Sequence, residues 1–456
     1  MILTSDLTKG NIRKQLIALS VPLIIGNIFQ QFYNTTDCYI VGQCVNQYAF
    51  AALGIAGSLM NLFIFMINGC CNGISIVFSQ LYGQRNWIEL KKETFLSLII
   101  GIAFSEILSI CAFLFLDVLL IFIQTPLEMM SYVKDYLYII MSFLVIVFIY
   151  NWCSAILRAI GDSKTALYIL IISMFLNIIL DIFFVKNLCY GVKGAAIATI
   201  ISQFFSAILC FLYIRKVYPQ LLFSKNEMVF DKQLIKKTMS YGFVSALHQS
   251  SLYIGKLIIQ GTVNRCGLDV ITSYTLTMRI EGFINSFGDS GCVAISILVG
   301  QNIGAGKSER VKNTFIIGLK MMIILCICLS IIMIIGTKPV TYLFIDGPSI
   351  QIINNTFYYI LIISFFYIFC FIGNCFVGFY RGIGKVNIPV IGTILHISLR
   401  VIISILLIEY LQLPAVALAT GIGWMCVVLY QYIYFNLKIK KTDKCNNNFF
   451  HIFRKI

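Results

Sequence analysis

The sequence predicts an all-α polytopic membrane protein, and three observations carry that expectation. Of its 456 residues 59% are hydrophobic and 12% charged, with a mean hydropathy of +0.90. Ordinary globular composition is nearer ~45–50% apolar and ~25% charged, so a soluble core could not hide this much apolar surface. Apolar runs long enough to cross a bilayer recur from end to end. Finally, the basic residues gather in alternate short connections between those runs, as the positive-inside rule requires. That distribution accounts for the formal net charge of +15 and argues against nucleic acid as a partner.

Taken in order, the first span is expected over 16–41, after Lys9, Arg13 and Lys14, with Pro22 tolerated in its first turns. The second covers 49–80 and is interrupted by Gly54, Gly57, Gly69 and Gly73, which permit close packing or bending. Four more follow at 94–122, 131–157, 165–186 and 192–214. A polar connector at 215–237 precedes a second set of six at 238–262, 270–302, 313–336, 354–380, 388–410 and 414–437. The expected organisation is therefore an N-terminal six-helix bundle (1–214), the connector, a C-terminal bundle (238–437) and a basic tail (438–456). Met1 to Arg13 is polar, so the first span reads as retained rather than as a cleaved signal.

With both termini on one side, only Lys134, Lys186, Lys193, Arg265 and Lys338 fall in the opposite loops. That bias predicts cytoplasmic termini in a plasma-membrane protein. The sixteen cysteines are scattered through apolar runs, as at Cys70, Cys71, Cys326 and Cys328, and none forms a metal-ligand spacing. They read as small buried residues.

The two halves resemble each other. Gln80-Leu-Tyr-Gly83 matches Gln301-Asn-Ile-Gly304 at an offset of 221, and Arg158-Ala-Ile-Gly161 matches Arg381-Gly-Ile-Gly384 at 223. Six spans per repeat give both halves the same orientation, which implies a pseudo-two-fold axis along the membrane normal and a transporter.

The chemistry concentrates in residues 174–186. Asn177 and Asp181 lie four apart in an apolar run, hence one above the other on a single helix face. An ionisable group inside a span is costly and is normally turned toward protein or a wet cavity. Asp37, near the far end of the first span, keeps similar company in Asn34, Thr35 and Thr36. An acid at the end of a helix can simply reach water, but a mere end-anchor needs no such neighbours.

These motifs together resemble the multidrug and toxic compound extrusion (MATE) transporters, in the branch of DinF-like and MepA-like proteins of the MOP flippase superfamily. The resemblance rests on Pro22 with Gln30-Gln-Phe-Tyr-Asn34 and Asp37, on Gln80 to Gly83, and on Leu157-Arg-Ala-Ile-Gly-Asp162. It rests further on Asn177 with Asp181, on Gly194-Ala-Ala-Ile-Ala-Thr199, and on Arg279-Ile-Glu281 with Gln301-Asn-Ile-Gly-Ala305. It implies twelve spans in two bundles and ion-driven efflux by alternating access. It also implies that Asp37, Asn177, Asp181 and Thr199 bind Na⁺ or a proton. Carboxylate, amide and hydroxyl oxygens are the hard ligands a small cation prefers, while two nearby carboxylates in low dielectric would equally share a proton. Asn151 matches a cavity asparagine of that family, or else makes an ordinary interhelical hydrogen bond.

Other candidates are read from the residues alone. Glu281 either joins a cation site in the second half or pairs with Arg400 or Lys256. Lys256 aligns with Asp37 at an offset of 219, so the halves carry opposite charges at equivalent positions. Phe32, Tyr33, Phe283 and Phe287 are candidate cavity aromatics, suited to flat or cationic organic substrates. Glu106 is a weaker candidate, Asp117 is expected at an interface, and His248 and His396 read as packed residues.

The expected function is export of amphipathic or cationic small molecules, driven by H⁺ or Na⁺, by a monomer surrounded by lipid and without a cofactor. A lipid-linked precursor flippase is the alternative, disfavoured because intramembrane bases such as Lys256, Arg279, Lys320 and Arg400 are few. A membrane enzyme would need an acid/base or nucleophile cluster that the sequence lacks, and no P-loop for ATP occurs.

Overall fold

The computed structural model describes residues 6–45, 47–123, 125–345 and 347–440. The end of the predicted tail, 441–456, lies outside them. Every long element among the described residues is a helix: α1 Ile12–Cys44, α2 Gln47–Gln84, α3 Trp87–Phe122, α4 Leu127–Ser142, α5 Leu144–Ala159, α6 Ser163–Asp181 and α7 Gly191–Val217. After two short 3₁₀ turns come α8 Lys232–Val263, α9 Leu268–Gly304, α10 Ser308–Phe344, α11 Ile350–Gly382, α12 Asn387–Leu411 and α13 Leu413–Tyr434.

Ten of these are long and apolar enough to cross a membrane, and α4 with α5 make an eleventh span that is bent by 53°. The remaining predicted span is α8, which has the length but also Lys232, Lys236, Lys237, His248 and Lys256. The twelve predicted segments are thus all helical, as an all-α polytopic fold requires.

The span expected over 131–157 is this broken pair. No glycine or proline marks the break at Phe143. Instead Ser142 Oγ donates back to the Tyr138 carbonyl at 2.7 Å, a contact that bends helices. The Met141 carbonyl, freed by the break, is taken at 2.6 Å by Ser109 Oγ of α3. In lipid that replacement matters, because an unpaired carbonyl there costs several kcal/mol.

The chain divides into two compact units. One comprises Val21–Ser250 with Asp6; the other comprises Leu7–Ser20 with 251–440. The division falls inside α1 and inside α8, whereas the bundles expected from sequence divide at the connector. In the first unit the core runs through α2, α5 and α7, around Phe78, Phe148, Trp152 and Leu144. Trp152 Nε1 donates to Ser97 Oγ at 3.0 Å, which satisfies the one polar atom of that buried ring.

Small residues set the helix spacing. A side chain on Gly69 would strike the backbone of Ser245 and Ala246, and one on Gly73 the backbone of Tyr241 and Gly242. Gly54 and Gly57 face open space instead. The four glycines that sequence grouped together are two packing residues and two unconstrained ones.

Asp162 closes the loop between α5 and α6. It caps α6 through Thr165 N at 3.2 Å, and its other oxygen accepts from Thr165 Oγ1, Tyr213 OH and Tyr218 OH at 2.9, 3.2 and 3.1 Å. Asp162→Ala removes a cap and strands two tyrosine hydroxyls, a cost of about 2 kcal/mol or more. A lowered melting temperature in detergent checks it, and an unchanged one would show the loop is held otherwise.

In the second unit the core surrounds α11, with Tyr359, Tyr367, Phe371 and Phe379 buried. The chain start at Leu7–Gln15 is clamped there. Arg310 donates to the Leu7, Lys9 and Gly10 carbonyls and to Gln15 Oε1, while Lys307 holds the Thr8 carbonyl at 2.6 Å.

Candidate cation site

Three helices of the first unit bring the leading candidates together. Asp37 comes from α1, Asn177 and Asp181 from the last turn of α6, and Thr199 from α7. All are buried, Asn177 and Asp181 completely. Asp37 and Asp181 face each other closely enough to interact, and Thr199 Oγ1 donates to Asp37 Oδ2 at 3.4 Å.

The arrangement is short of positive charge. Among the described residues the ion pairs join Arg85 to Asp6, Lys91 to Glu227, Lys134 to Asp117 and Lys193 to Asp135. None reaches Asp37 or Asp181. Five atoms, namely Asp37 Oδ1, both Asp181 oxygens and both polar atoms of Asn177, are buried with no hydrogen-bond partner among the described residues. Buried carboxylates are normally paired, hydrogen-bonded or neutralised. Two of them facing each other are two acceptors with no donor between. A proton would supply that donor, and a small cation would accept the same oxygens as ligands. Carboxylate, amide and hydroxyl oxygens fit such an ion, and the described residues form no cluster of three or more His, Cys, Asp or Glu that would favour a transition metal.

Two further participants join the site: Tyr33, expected from sequence only as a cavity aromatic, and Ser202, which was not among the candidates. Tyr33 is four residues before Asp37 and so on its face of α1; its hydroxyl lies 3.4 Å from Ser202 Oγ and also interacts with Thr199 and Asp37. Ser202, three after Thr199, donates to the Thr199 carbonyl at 2.9 Å. Both are one helical turn from a chosen residue, and that spacing was the available signal.

The other candidates fall elsewhere. The side chain of Asn34 lies outside the described residues. Asn151 Nδ2 donates at 2.8 Å to the Val147 carbonyl of its own helix. Phe32 and Phe283 are exposed, as are Lys256 and Glu106. Asp117 forms a surface ion pair with Lys134 at 2.8 Å. Glu281 is buried in the second unit and accepts from Tyr359 OH at 2.7 Å. Its distance to Arg400 and Lys256 exceeds that of an ion pair, although both act on it electrostatically.

The MatE family model matches residues 22–183 and 245–406. The chain belongs to the MatE family. The two matched segments start 223 residues apart, the offset at which Arg158 and Arg381 align, so the family pattern is itself the internal repeat.

Among relatives of this MatE chain, the probable multidrug resistance protein YpnP of Bacillus subtilis is 26% identical over 449 residues, covering 96% of this chain and 99% of that one. The probable multidrug resistance protein NorM of Thermotoga maritima is 26% identical over 435 residues, covering 92% and 90%. A solved multidrug resistance MATE family transporter of the MOP superfamily, in an outward-facing conformation, superposes with a TM-score of 0.88. It is 21% identical, and the match covers 97% of this chain and 99% of that one. That likeness bears on the fold of this MatE chain alone.

Proposed function

We propose that this chain exports amphipathic or cationic small molecules across the cell membrane, by alternating access, in exchange for H⁺ or Na⁺ taken up at Asp37 and Asp181. The observation that carries the reading is the buried carboxyl pair, which no basic side chain among the described residues reaches as an ion pair. Relatives named as multidrug resistance proteins support the substrate class. In the mechanism, one conformer binds the ion between Asp37 and Asp181, with Asn177 and Thr199 as neutral ligands. Neutralising the pair lets α1 repack toward α6 and α7. The other conformer releases the ion and binds cargo. Drive requires that ion and cargo prefer different conformers, since a ligand with equal affinity for both shifts nothing. The termini face the cytoplasm, on the distribution of basic residues, and the monomer works in contact with lipid alone.

The test is uptake of a fluorescent organic cation by proteoliposomes under a pH gradient or a Na⁺ gradient imposed separately. Transport under one of them names the ion. Folded protein that transports under neither overturns the reading and favours a lipid-linked precursor as cargo.

A further inference from the structure

The internal repeat survives in three dimensions as the same contact made twice. Tyr136 OH donates to Met60 Sδ at 3.8 Å in the first unit, and Tyr359 OH to Glu281 Oε1 at 2.7 Å in the second. These pairs are related by 221 and 223 residues, the two offsets read from the sequence motifs. Likewise Ser109 Oγ donates to the Met141 carbonyl, and Ser330 Oγ to the Ser364 carbonyl, at 2.6 and 3.1 Å. The correspondence therefore fixes which residues of the second unit stand where the first unit holds its cation site.

At those positions the charge is reversed. Asn177 corresponds to Arg400 and Asp181 to Ser404 at the 223 offset, and Ala196-Ile-Ala-Thr199 corresponds to Ala417-Leu-Ala-Thr420 at 221. Asp37 aligns with Lys256 at the offset of 219 read from sequence alone. Arg400 and Ser404 are buried, and Arg400 Nε and Nη2 and Ser404 Oγ have no hydrogen-bond partner among the described residues. The acid has moved instead: Met60 of the first unit becomes Glu281, while Leu53 and Leu144 become Tyr274 and Tyr367. Arg400 interacts with Glu281, Tyr274, Tyr359 and Tyr367, and Glu281 is faced by Arg400, Tyr359, Lys256 and Tyr367. His396, which replaces Ser173, also feels Arg400.

We propose that Arg400 is a tethered cation: it occupies, permanently, the place that the exchanged ion takes in the first unit, with Glu281 as its counter-anion across the Tyr359 hydroxyl. A guanidinium is always protonated and cannot leave. The second unit therefore keeps one charge state through the transport cycle, and only Asp37 and Asp181 exchange an ion. The proposal rests on the exchange reading above and assigns it a single site per chain.

The experiment is thermal unfolding of the full-length protein in detergent from pH 5 to 9, with and without Na⁺. In Asp37→Asn/Asp181→Asn the ion response is expected to vanish. A residual response that Glu281→Gln removes would make Glu281 an exchanging group and overturn the proposal. Arg400→Asn leaves the buried Glu281 without its counter-cation, so the melting temperature should fall well below that of the wild type. A melting temperature equal to the wild type's overturns the proposal. Arg400→Asn/Glu281→Met rebuilds the first unit's residues and should recover stability. A double variant less stable than Arg400→Asn overturns it. The exchange reading fails separately, if the wild type shows no ion response that Asp181→Asn removes.

Discussion

Asp181→Asn should reduce gradient-driven dye transport to the leak rate while leaving the protein at least as stable as the wild type. The two halves of that expectation share one cause. Asp181 is fully buried, faces Asp37 and has no partner for either oxygen among the described residues. Two unit charges about 4 Å apart repel by about 4 kcal/mol at an effective dielectric of 20. Moving a two-state equilibrium from 1:99 to 99:1 takes about 5.5 kcal/mol. Relief of that repulsion by a bound ion is therefore the right size to choose between conformers. An isosteric amide ends the repulsion for good, so stability is kept and the ion loses its leverage. Initial rates in proteoliposomes and melting temperature in detergent check both halves. Gradient-driven transport persisting in Asp181→Asn would remove the carboxyl pair from the mechanism. Asn177→Ala separates the ions: it should weaken a Na⁺-driven exchanger by loss of a ligand and barely affect a proton-driven one.

Gly73→Val should abolish folded protein, whereas Gly57→Ala should be neutral or stabilising. Any side chain at 73 is directed at the Tyr241 carbonyl and at Gly242, which are backbone and cannot swing aside. The helices must separate, and overpacking of that kind costs about 3 kcal/mol or more once neighbouring contacts open. At Gly57 nothing lies within reach of a Cβ, so alanine removes only the entropic cost of glycine, about 0.5–1 kcal/mol. Monodisperse yield on size exclusion and melting temperature decide it. A folded Gly73→Val would mean that α2 and α8 are not packed as described.

Which of these features could be read from the sequence follows from how local their causes are. The helices and the Asn177–Asp181 face are set by period and composition within one segment, so both were visible. The two glycine classes of α2 were not, because what separates Gly69 and Gly73 from Gly54 and Gly57 is a helix about 170 residues away in the chain. The break at Phe143 depends on Ser142 and on a serine of α3, with no glycine or proline to announce it. The equivalent stretch of α11 has the same serine contact at Ser330 but Phe365 in place of Ser142, and runs unbroken. Arg400 reads from sequence as an intramembrane base and a candidate partner of Glu281, while its relation to Asn177 depends on the other repeat.

The duplicated contacts have a consequence for how such a protein changes over generations. Tyr136 and Tyr359 reach the same neighbouring position whether it holds methionine or glutamate. Gly161 and Gly384 make the same left-handed turn, at φ 94° and 82°, in both halves. The scaffold is thus indifferent to the sign of charge it carries, and a handful of substitutions exchanges an acidic site for a basic one without disturbing how the helices meet. A lineage built on such a frame can acquire a new driving ion or a new cargo through a short series of folded ancestors.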